Sequence, residues 1–258
     1  MGDFILDKIR TLSYNFHFIQ IENVADEYGL NEDDYYIVKY TGKAENLTLP
    51  TQTETGKPIT AIGRFAFSGC ETLRNVTVPN EIIAIFSGGF YDCKNLKTVQ
   101  LGSGVSHISE WYVFTKCGSM SNISVDENNP YYYMDNHCLI DRRSNTLMYG
   151  YANSVIPEGI ECISDCAFSE NYTPATIQIP QSVKKIGSYA FSANKGMSKI
   201  YLHKNIESIG DCAFLNCPNL TIYCESEQKP LGWSDIWIDR VGGRYTPATV
   251  VWGYQEAS

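Results

Sequence analysis

The sequence predicts a repeat solenoid, in which short parallel strands from successive turns of chain stack over one continuous core. The string Ile62-Gly63-Arg64-Phe65-Ala66-Phe67-Ser68-Gly69-Cys70 returns as Ile186-Gly187-Ser188-Tyr189-Ala190-Phe191 and as Ile209-Gly210-Asp211-Cys212-Ala213-Phe214. Aligned on that phenylalanine, Phe67, Phe90, Phe114, Phe168, Phe191 and Phe214 follow at steps of 23, 24, 54, 23 and 23 residues, the long step being 23 plus an insertion of 31. Each unit also holds a short apolar alternation ended by proline or a turn residue, such as Val76-Thr77-Val78-Pro79, Val99-Gln100-Leu101-Gly102 and Ile177-Gln178-Ile179-Pro180. One turn cannot bury its apolar face alone, whereas stacked turns bury a continuous one. Proline just past so short a strand removes no ladder hydrogen bond.

Taken in order, residues 1–46 form an acidic N-terminal cap. Asp3, Asp7, Glu22, Asp26, Glu27, Glu32, Asp33 and Asp34 face only Lys8 and Arg10 in the first 34 residues. Phe4, Ile5, Leu6, Ile9 and Leu12 suit one face of a short helix, Tyr14, Phe16 and Phe18 alternate like a strand, and Tyr35–Tyr40 reads as a strand ended by Thr41-Gly42. The solenoid runs over 47–224. A second apolar pair recurs four or five residues past each strand (Ile82/Ile85, Val105/Ile108, Ile160/Ile163, Val183/Ile186, Ile206/Ile209). The insertion, at about 126–154, reads as a hairpin of Cys138–Asp141 and Thr146–Tyr149 about a polar turn, after which Val155-Ile156-Pro157 resumes the stack as an extra strand. Residues 225–258 close the far end. Gly88-Gly89 before Phe90, and a third unit one residue long (Glu110-Trp111-Tyr112-Val113-Phe114), predict local bulges.

At this register the pattern Ile-Gly-x-x-Ala-Phe-x-x-Cys-x-x-Leu-x-x-Ile-x-Ile-Pro resembles the BspA-type (treponemal-type) leucine-rich repeat, over roughly residues 35–258. The resemblance takes in Gly56-Lys57-Pro58-Ile59-Thr60-Ala61-Ile62-Gly63 before the first full repeat. It also takes in Pro230, Gly232-Trp233, Trp237 and Val250-Val251-Trp252-Gly253-Tyr254 in the closing segment. It implies an α/β-type right-handed leucine-rich-repeat coil, with a short-stranded parallel sheet on the concave face and short helical or 3-10 turns on the convex face. It further implies a bacterial cell-surface or secreted protein that contacts host or neighbouring-cell proteins.

Composition narrows the chemistry. A net charge of −9 over 258 residues leaves no basic stripe to neutralise phosphates, which excludes a nucleic-acid partner. No run of 18 apolar residues spans a membrane, and the N-terminus lacks the basic and apolar regions of a secretory signal. The chain therefore either stays inside the cell or has had a signal removed. Cys70, Cys93, Cys117 and Cys217 sit three residues after the repeat phenylalanine, where Asn171 and Asn194 stand in other units; Cys166 and Cys212 share a register two residues before it. Residues placed by a repeat read as small buried packing groups, although equivalent positions on neighbouring turns come within disulfide range. No Cys-x-x-Cys pair exists and His17, His107, His137 and His203 are scattered, so no metal or cofactor is predicted. His137-Cys138 cannot act as base and nucleophile, because adjacent strand residues face opposite ways. With no phosphate loop and no paired carboxylates on one face, no enzyme activity is predicted. The Asn-x-Ser/Thr triplets at Asn46, Asn75, Asn122, Asn171 and Asn219 follow from the repeat's own preference for these residues.

What remains is surface. The middle residue of each short strand points away from the core, giving a column of Thr48, Thr77, Gln100, Ser124, Val155, Gln178, Tyr201 and Tyr223. Arg74, Lys97 and Lys199 flank it, and acidic residues are nearly absent there. Tyr201 and Tyr223 are the anchor candidates, since aromatic residues dominate interface energetics. Tyr131, Tyr132 and Tyr133, with Tyr149 and Tyr151, crowd the insertion, where they either pack the hairpin or meet a partner. The expected function is non-catalytic protein binding, with glycan as a further partner class compatible with a Thr/Ser/Gln/Tyr column. An intracellular scaffold is the alternative.

Overall fold

The computed structural model describes residues 10–13, 15–21, 30–151, 153–170, 176–239 and 247–255. They fall into two compact units, 1–132 and 133–258. In the first, β1 (Arg10–Ser13), β2 (Phe16–Gln20) and β3 (Tyr35–Tyr40) run antiparallel, and the sheet continues in parallel through β5 (Ile59–Ile62), β7 (Ala84–Ile85) and β9 (His107–Ile108). Arg10–Ser13 is therefore strand rather than helix; Phe4, Ile5, Leu6, Ile9 and Tyr14 lie outside the described residues. A second parallel sheet joins β4 (Asn46–Thr48), β6 (Asn75–Val78), β8 (Thr98–Leu101) and β10 (Asn122–Val125).

The second unit repeats this plan. Here β11 (Tyr132–Asp135) opens on the last residue of the first unit, and β12 (Cys138–Asp141) and β13 (Thr146–Gly150) are the predicted hairpin. The hairpin does not protrude. Its strands are buried throughout, and β13 pairs in parallel with β14 (Cys162–Ile163), which leads on to β16 (Lys185–Ile186) and β18 (Ser208–Ile209). The companion sheet is β15 (Thr176–Gln178), β17 (Lys199–Leu202), β19 (Thr221–Cys224) and β20 (Thr249–Val251).

No described residue is helical. The segments around each repeat phenylalanine, where helical or 3-10 turns were expected, are successive tight turns with a defined backbone alternation. The residue two before the phenylalanine has positive φ in every unit: Phe65 (56°), Gly88 (67°), Tyr112 (61°), Cys166 (55°), Tyr189 (57°) and Cys212 (54°). The residue two after it does as well, at Gly69, Asp92, Lys116, Glu170, Ala193 and Asn216. Left-handed residues alternating with right-handed ones turn every second N–H along the stack. Phe65, Phe67 and Gly69 accordingly donate to the carbonyls of Ser87, Gly89 and Tyr91 one turn on, while Ala66, Ser68 and Cys70 close local turns onto Gly63, Phe65 and Phe67. A helix would direct all these donors back into its own segment. Here each turn is instead bonded to the next, so its buried backbone groups are satisfied between turns. Gly88 keeps this register rather than forming a bulge. Its N–H bonds to Trp111 O, and a Cβ there would meet the ring of Phe65, which glycine leaves room for.

The phenylalanines form an aromatic ladder. Phe67–Phe90 and Phe90–Phe114 stack at 5.0 and 5.6 Å in the first unit, and Phe168–Phe191 and Phe191–Phe214 at 5.1 and 5.4 Å in the second. In the first unit Tyr40 lies 5.3 Å from Phe67, and in the second Trp237 meets Phe214 edge-on at 88°. All six phenylalanines are buried, each contributing roughly 1.5–3 kcal/mol of apolar burial.

The cysteines serve the same ladder. Cys93, Cys117 and Cys217 donate their S–H to the carbonyls of Phe67, Phe90 and Phe191, one turn back, at 3.0–3.2 Å. Asn194 does this in its own unit, donating to Phe168 O and Phe191 O at 2.8 and 2.9 Å. Cysteine and asparagine thus alternate in the repeat because each offers a short donor; Asn171 lies outside the described residues. All nine cysteines are free, seven of them buried. Burial pushes the thiols of Cys217 up to about 11 and of Cys138 and Cys224 up to about 12. Hydrogen bonding from Cys93 raises Cys70, and from Cys117 raises Cys93. A thiol that binds its proton more tightly when folded adds stability that is complete below about pH 9, where unfolded thiols begin to ionise. That stability is lost as pH rises through the folded values of about 11 to 12. We predict that the urea midpoint falls between pH 8 and pH 10 by the equivalent of about 1.4 kcal/mol for each such thiol, and that Cys217→Ala flattens this slope. An unchanged slope in the variant would rule out the thiol as its source.

Candidate functional site

The predicted outward column exists within each unit. Thr48, Thr77, Gln100 and Ser124 are successive register partners across β4, β6, β8 and β10. Gln178, Tyr201 and Tyr223 are register partners across β15, β17 and β19, and β20 adds Val251 to the row. Parallel pairing in register brings equivalent residues of adjacent strands side by side at about 4.8 Å, so a sequence repeat becomes a spatial file.

One acidic residue bears on the flanking cations. Glu45 pairs with Arg74 at 3.2 Å, so Arg74 is not an open cation. Lys97 and Lys199 are exposed. Asn75 Oδ1 accepts from Thr98 Oγ1 at 2.7 Å, so the row beside the column is knit together by its own hydrogen bonds.

The tyrosines of the insertion divide. Tyr132 is 2% exposed, and its hydroxyl accepts from Ile108 N–H at 2.9 Å and donates to Ser106 O. It is a core residue and cannot meet a partner. Its place is set by Asn129, buried and fully satisfied. The Asn129 amide donates to Gly102 O and Val105 O, and its oxygen accepts from the N–H groups of Tyr131 and Tyr132. Tyr131 is half-buried. Tyr133, also half-buried, packs on the core of the second unit and carries the Arg142 guanidinium 4.4 Å above its ring. Tyr149 and Tyr151 are buried.

Val155-Ile156-Pro157 is not the extra strand that was expected. Val155 N–H donates to Asn136 O at 3.1 Å, Cys138 Sγ donates to Val155 O at 3.5 Å, and Ser154 Oγ donates to His137 O at 2.7 Å. The turn between β11 and β12 takes the bonds that β15 would otherwise share, and Val155 is left 64% exposed. The two turns rejoin beyond it, where Gly159 N–H reaches Ser182 Oγ and Cys162 pairs with Lys185. Between them opens a cleft of about 880 Å3, lined by Asn136, Val155–Glu158, β15, Tyr201, His203, Tyr223, Glu225 and Tyr254.

Sequence reasoning missed Tyr254, which leans on Tyr201 at 5.5 Å and on Tyr223 at 4.9 Å, while those two stack at 5.1 Å and 18°. Its signal was its place just past Val250-Val251, one more apolar alternation in the series. The core is filled without these three rings: β17 and β19 bury Ile200, Leu202, Ile222 and Cys224 instead, and Tyr254 lies past the end of β20. Among the described residues no group of three or more His, Cys, Asp or Glu could hold a metal ion, and no helix is long and apolar enough to cross a membrane.

Solved structures of bacterial leucine-rich-repeat proteins are similar to this chain. A leucine-rich-repeat protein from Eubacterium ventriosum is 19% identical, with a TM-score of 0.51, over 85% of this chain and 73% of its own. The leucine-rich-repeat protein of Treponema pallidum is 26% identical, with a TM-score of 0.44, over 74% of each chain. A leucine-rich cell-surface protein from Faecalibacterium prausnitzii is 18% identical, with a TM-score of 0.31, over 87% of this chain and 77% of its own. No curated protein matches. The model of the BspA-type leucine-rich repeat region matches in six copies over residues 34–149 and 144–229. The chain belongs to the BspA-type leucine-rich-repeat family.

Proposed function

We propose that this chain is a non-catalytic protein-binding module of a bacterial cell-surface or secreted protein, which meets host or neighbouring-cell proteins through the files of outward strand residues. One observation carries the proposal. Tyr201, Tyr223 and Tyr254 form a continuous aromatic file on a sheet whose core is already filled by other side chains. Three large half-buried rings that pack on one another outside the core are what a recognition anchor requires. Thr77, Gln100, Ser124 and Gln178 supply adaptable hydrogen bonding along the files, and Lys97 and Lys199 supply exposed positive charge. Tyr131 and Tyr133 keep a partial exposure that allows a lesser contribution. In this proposal residues 1–46 and 225–258 act as caps that cover the ends of the stack.

The test is saturable binding of the full chain to matrix proteins and to intact cells, before and after shaving the cells with protease. Tyr201→Ala/Tyr223→Ala is expected to weaken it at least about tenfold, with the far-ultraviolet spectrum unchanged. Binding that survives protease shaving, or that ignores both substitutions, would remove the proposal. The nine free cysteines favour a second reading, an intracellular scaffold. For that reading the same substitutions should abolish capture of a cytosolic partner while cell binding is absent.

A further inference from the structure

We propose that the cleft of the second unit receives an extended, lysine- or arginine-containing polypeptide segment, added as a strand beside β15. This rests on the protein-binding reading above and names the kind of partner.

The first observation is an open sheet edge. The sheet runs β15, β17, β19, β20, and β15 is its terminal strand. No hydrogen bond among the described residues joins 154–158 to 176–179, because Ser154 and Val155 are bonded to the turn between β11 and β12 and the start of β12, at Asn136, His137 and Cys138. An unpaired edge presents N–H and C=O groups in the spacing of another strand, which is how extended peptides are recognised by strand addition. Three or four residues at about 3.3 Å each span the length of β15. A glycan offers no matching row of alternating donors and acceptors.

The second observation is charge. The charged side chains that line the cleft are Glu158 and Glu225, and no Lys or Arg lines it. Lys199, the register partner of Thr176, and Lys204 stand outside the lining. One oxygen of Glu225 accepts the Lys204 N–H at 3.0 Å, leaving its other oxygen for an incoming donor. His203, buried in the wall, donates from Nε2 to Pro180 O at 2.8 Å and so brings no charge partner to the two carboxylates. The cleft therefore offers acceptors and negative charge. Tyr201, stacked on Tyr223 to one side and neighboured by Gln178 on the other, adds a ring face on which a cation can rest.

The experiment uses the full chain and fluorescence anisotropy with four probes. These are a labelled eight-residue peptide alternating valine and lysine, the same peptide with glutamate for lysine, a version interrupted by proline at alternate positions, and a neutral oligosaccharide. The expected result is saturable binding of the lysine peptide, weakened several-fold between 50 mM and 300 mM salt, with at least about tenfold weaker binding of the glutamate and proline versions. Glu158→Gln/Glu225→Gln should weaken it by roughly five- to tenfold, and Glu54→Gln/Glu81→Gln, two exposed carboxylates of the other unit, should leave it unchanged. Equal binding of the glutamate peptide overturns the charge assignment, and equal binding of the proline version overturns strand addition. Binding of the oligosaccharide alone makes the cleft a glycan site and overturns the proposal. If the lysine peptide fails while Tyr201→Ala/Tyr223→Ala still abolishes binding to cell-surface protein, the peptide proposal falls and the broader function stands.

Discussion

Phe191→Ala is expected to destabilise the protein by about 3–5 kcal/mol, read as a fall in the urea midpoint of the transition that includes the second unit. Phe191 is fully buried in the middle of its ladder, 5.1 Å from Phe168 and 5.4 Å from Phe214, with its ring plane within 6° of parallel to each. Truncation removes the ring's apolar burial, leaves a cavity that neighbouring turns cannot close without moving a hydrogen-bonded rung, and breaks two stacking contacts worth about 0.5–1.5 kcal/mol each. Because each turn of a solenoid touches only its neighbours, interrupting the middle rung also weakens the coupling between the turns on either side. The m-value should therefore fall, or the transition split, in addition to the shift in midpoint. Phe191→Leu, which refills part of the volume, should cost roughly half as much. A midpoint for Phe191→Ala within about 1 kcal/mol of the parent would show that the ladder is not what holds the turns together.

Much of this fold is legible in the chain because both of its periods are stated in residue types. The 23-residue step places Phe67, Phe90 and Phe114 in one stack and Phe168, Phe191 and Phe214 in another. The period-2 alternation places Thr77 beside Gln100, and Gln178 beside Tyr201. The turns around the repeat phenylalanines were not legible. An Ile…Ala-Phe spacing fits a helical turn and a left-handed turn equally well; only the sign of φ separates them. The scattered hints are Gly69, Gly88 and Asn216, residue types that tolerate positive φ, and they are diluted by Phe65, Tyr112 and Tyr189 at the same positions. The site was half legible. Tyr201 and Tyr223 could be placed because they stand in register. Tyr132 was misplaced because three consecutive tyrosines carry no mark of which one turns inward; that choice is made by Asn129. The cleft was hidden as well, since it depends on Val155 bonding to Asn136 rather than to the strand that follows it 21 residues later at Thr176.

Asn129→Ala is the second large effect, expected at about 3–5 kcal/mol, which is more than an average buried hydrogen bond because four backbone groups lose a partner together. The amide donates to Gly102 O and Val105 O at 2.9 Å and accepts from Tyr131 N–H and Tyr132 N–H at 2.8 Å, at a site only 3% exposed. Loss of the two acceptor contacts frees the turn that aims Tyr132 inward, so its hydroxyl should also lose Ile108 N–H. A second variant separates this network from simple packing. Asn129→Asp keeps the shape and the acceptor for both tyrosine N–H groups, but it sets a carboxylate oxygen against the two carbonyls. Repulsion and burial would hold that carboxyl above the ordinary carboxylate range, so the folded state would bind its proton more tightly than the unfolded state. The contribution is then present below the unfolded pKa and lost as pH rises through the raised folded one. At pH 7 Asn129→Asp should be at least as destabilised as Asn129→Ala. Between pH 7 and pH 5 it should recover stability relative to the parent, as the protonated carboxyl regains one donor. An Asn129→Asp variant as stable as the parent at pH 7, or one with a flat difference across that range, would mean that the carbonyls of Gly102 and Val105 do not depend on the Asn129 amide.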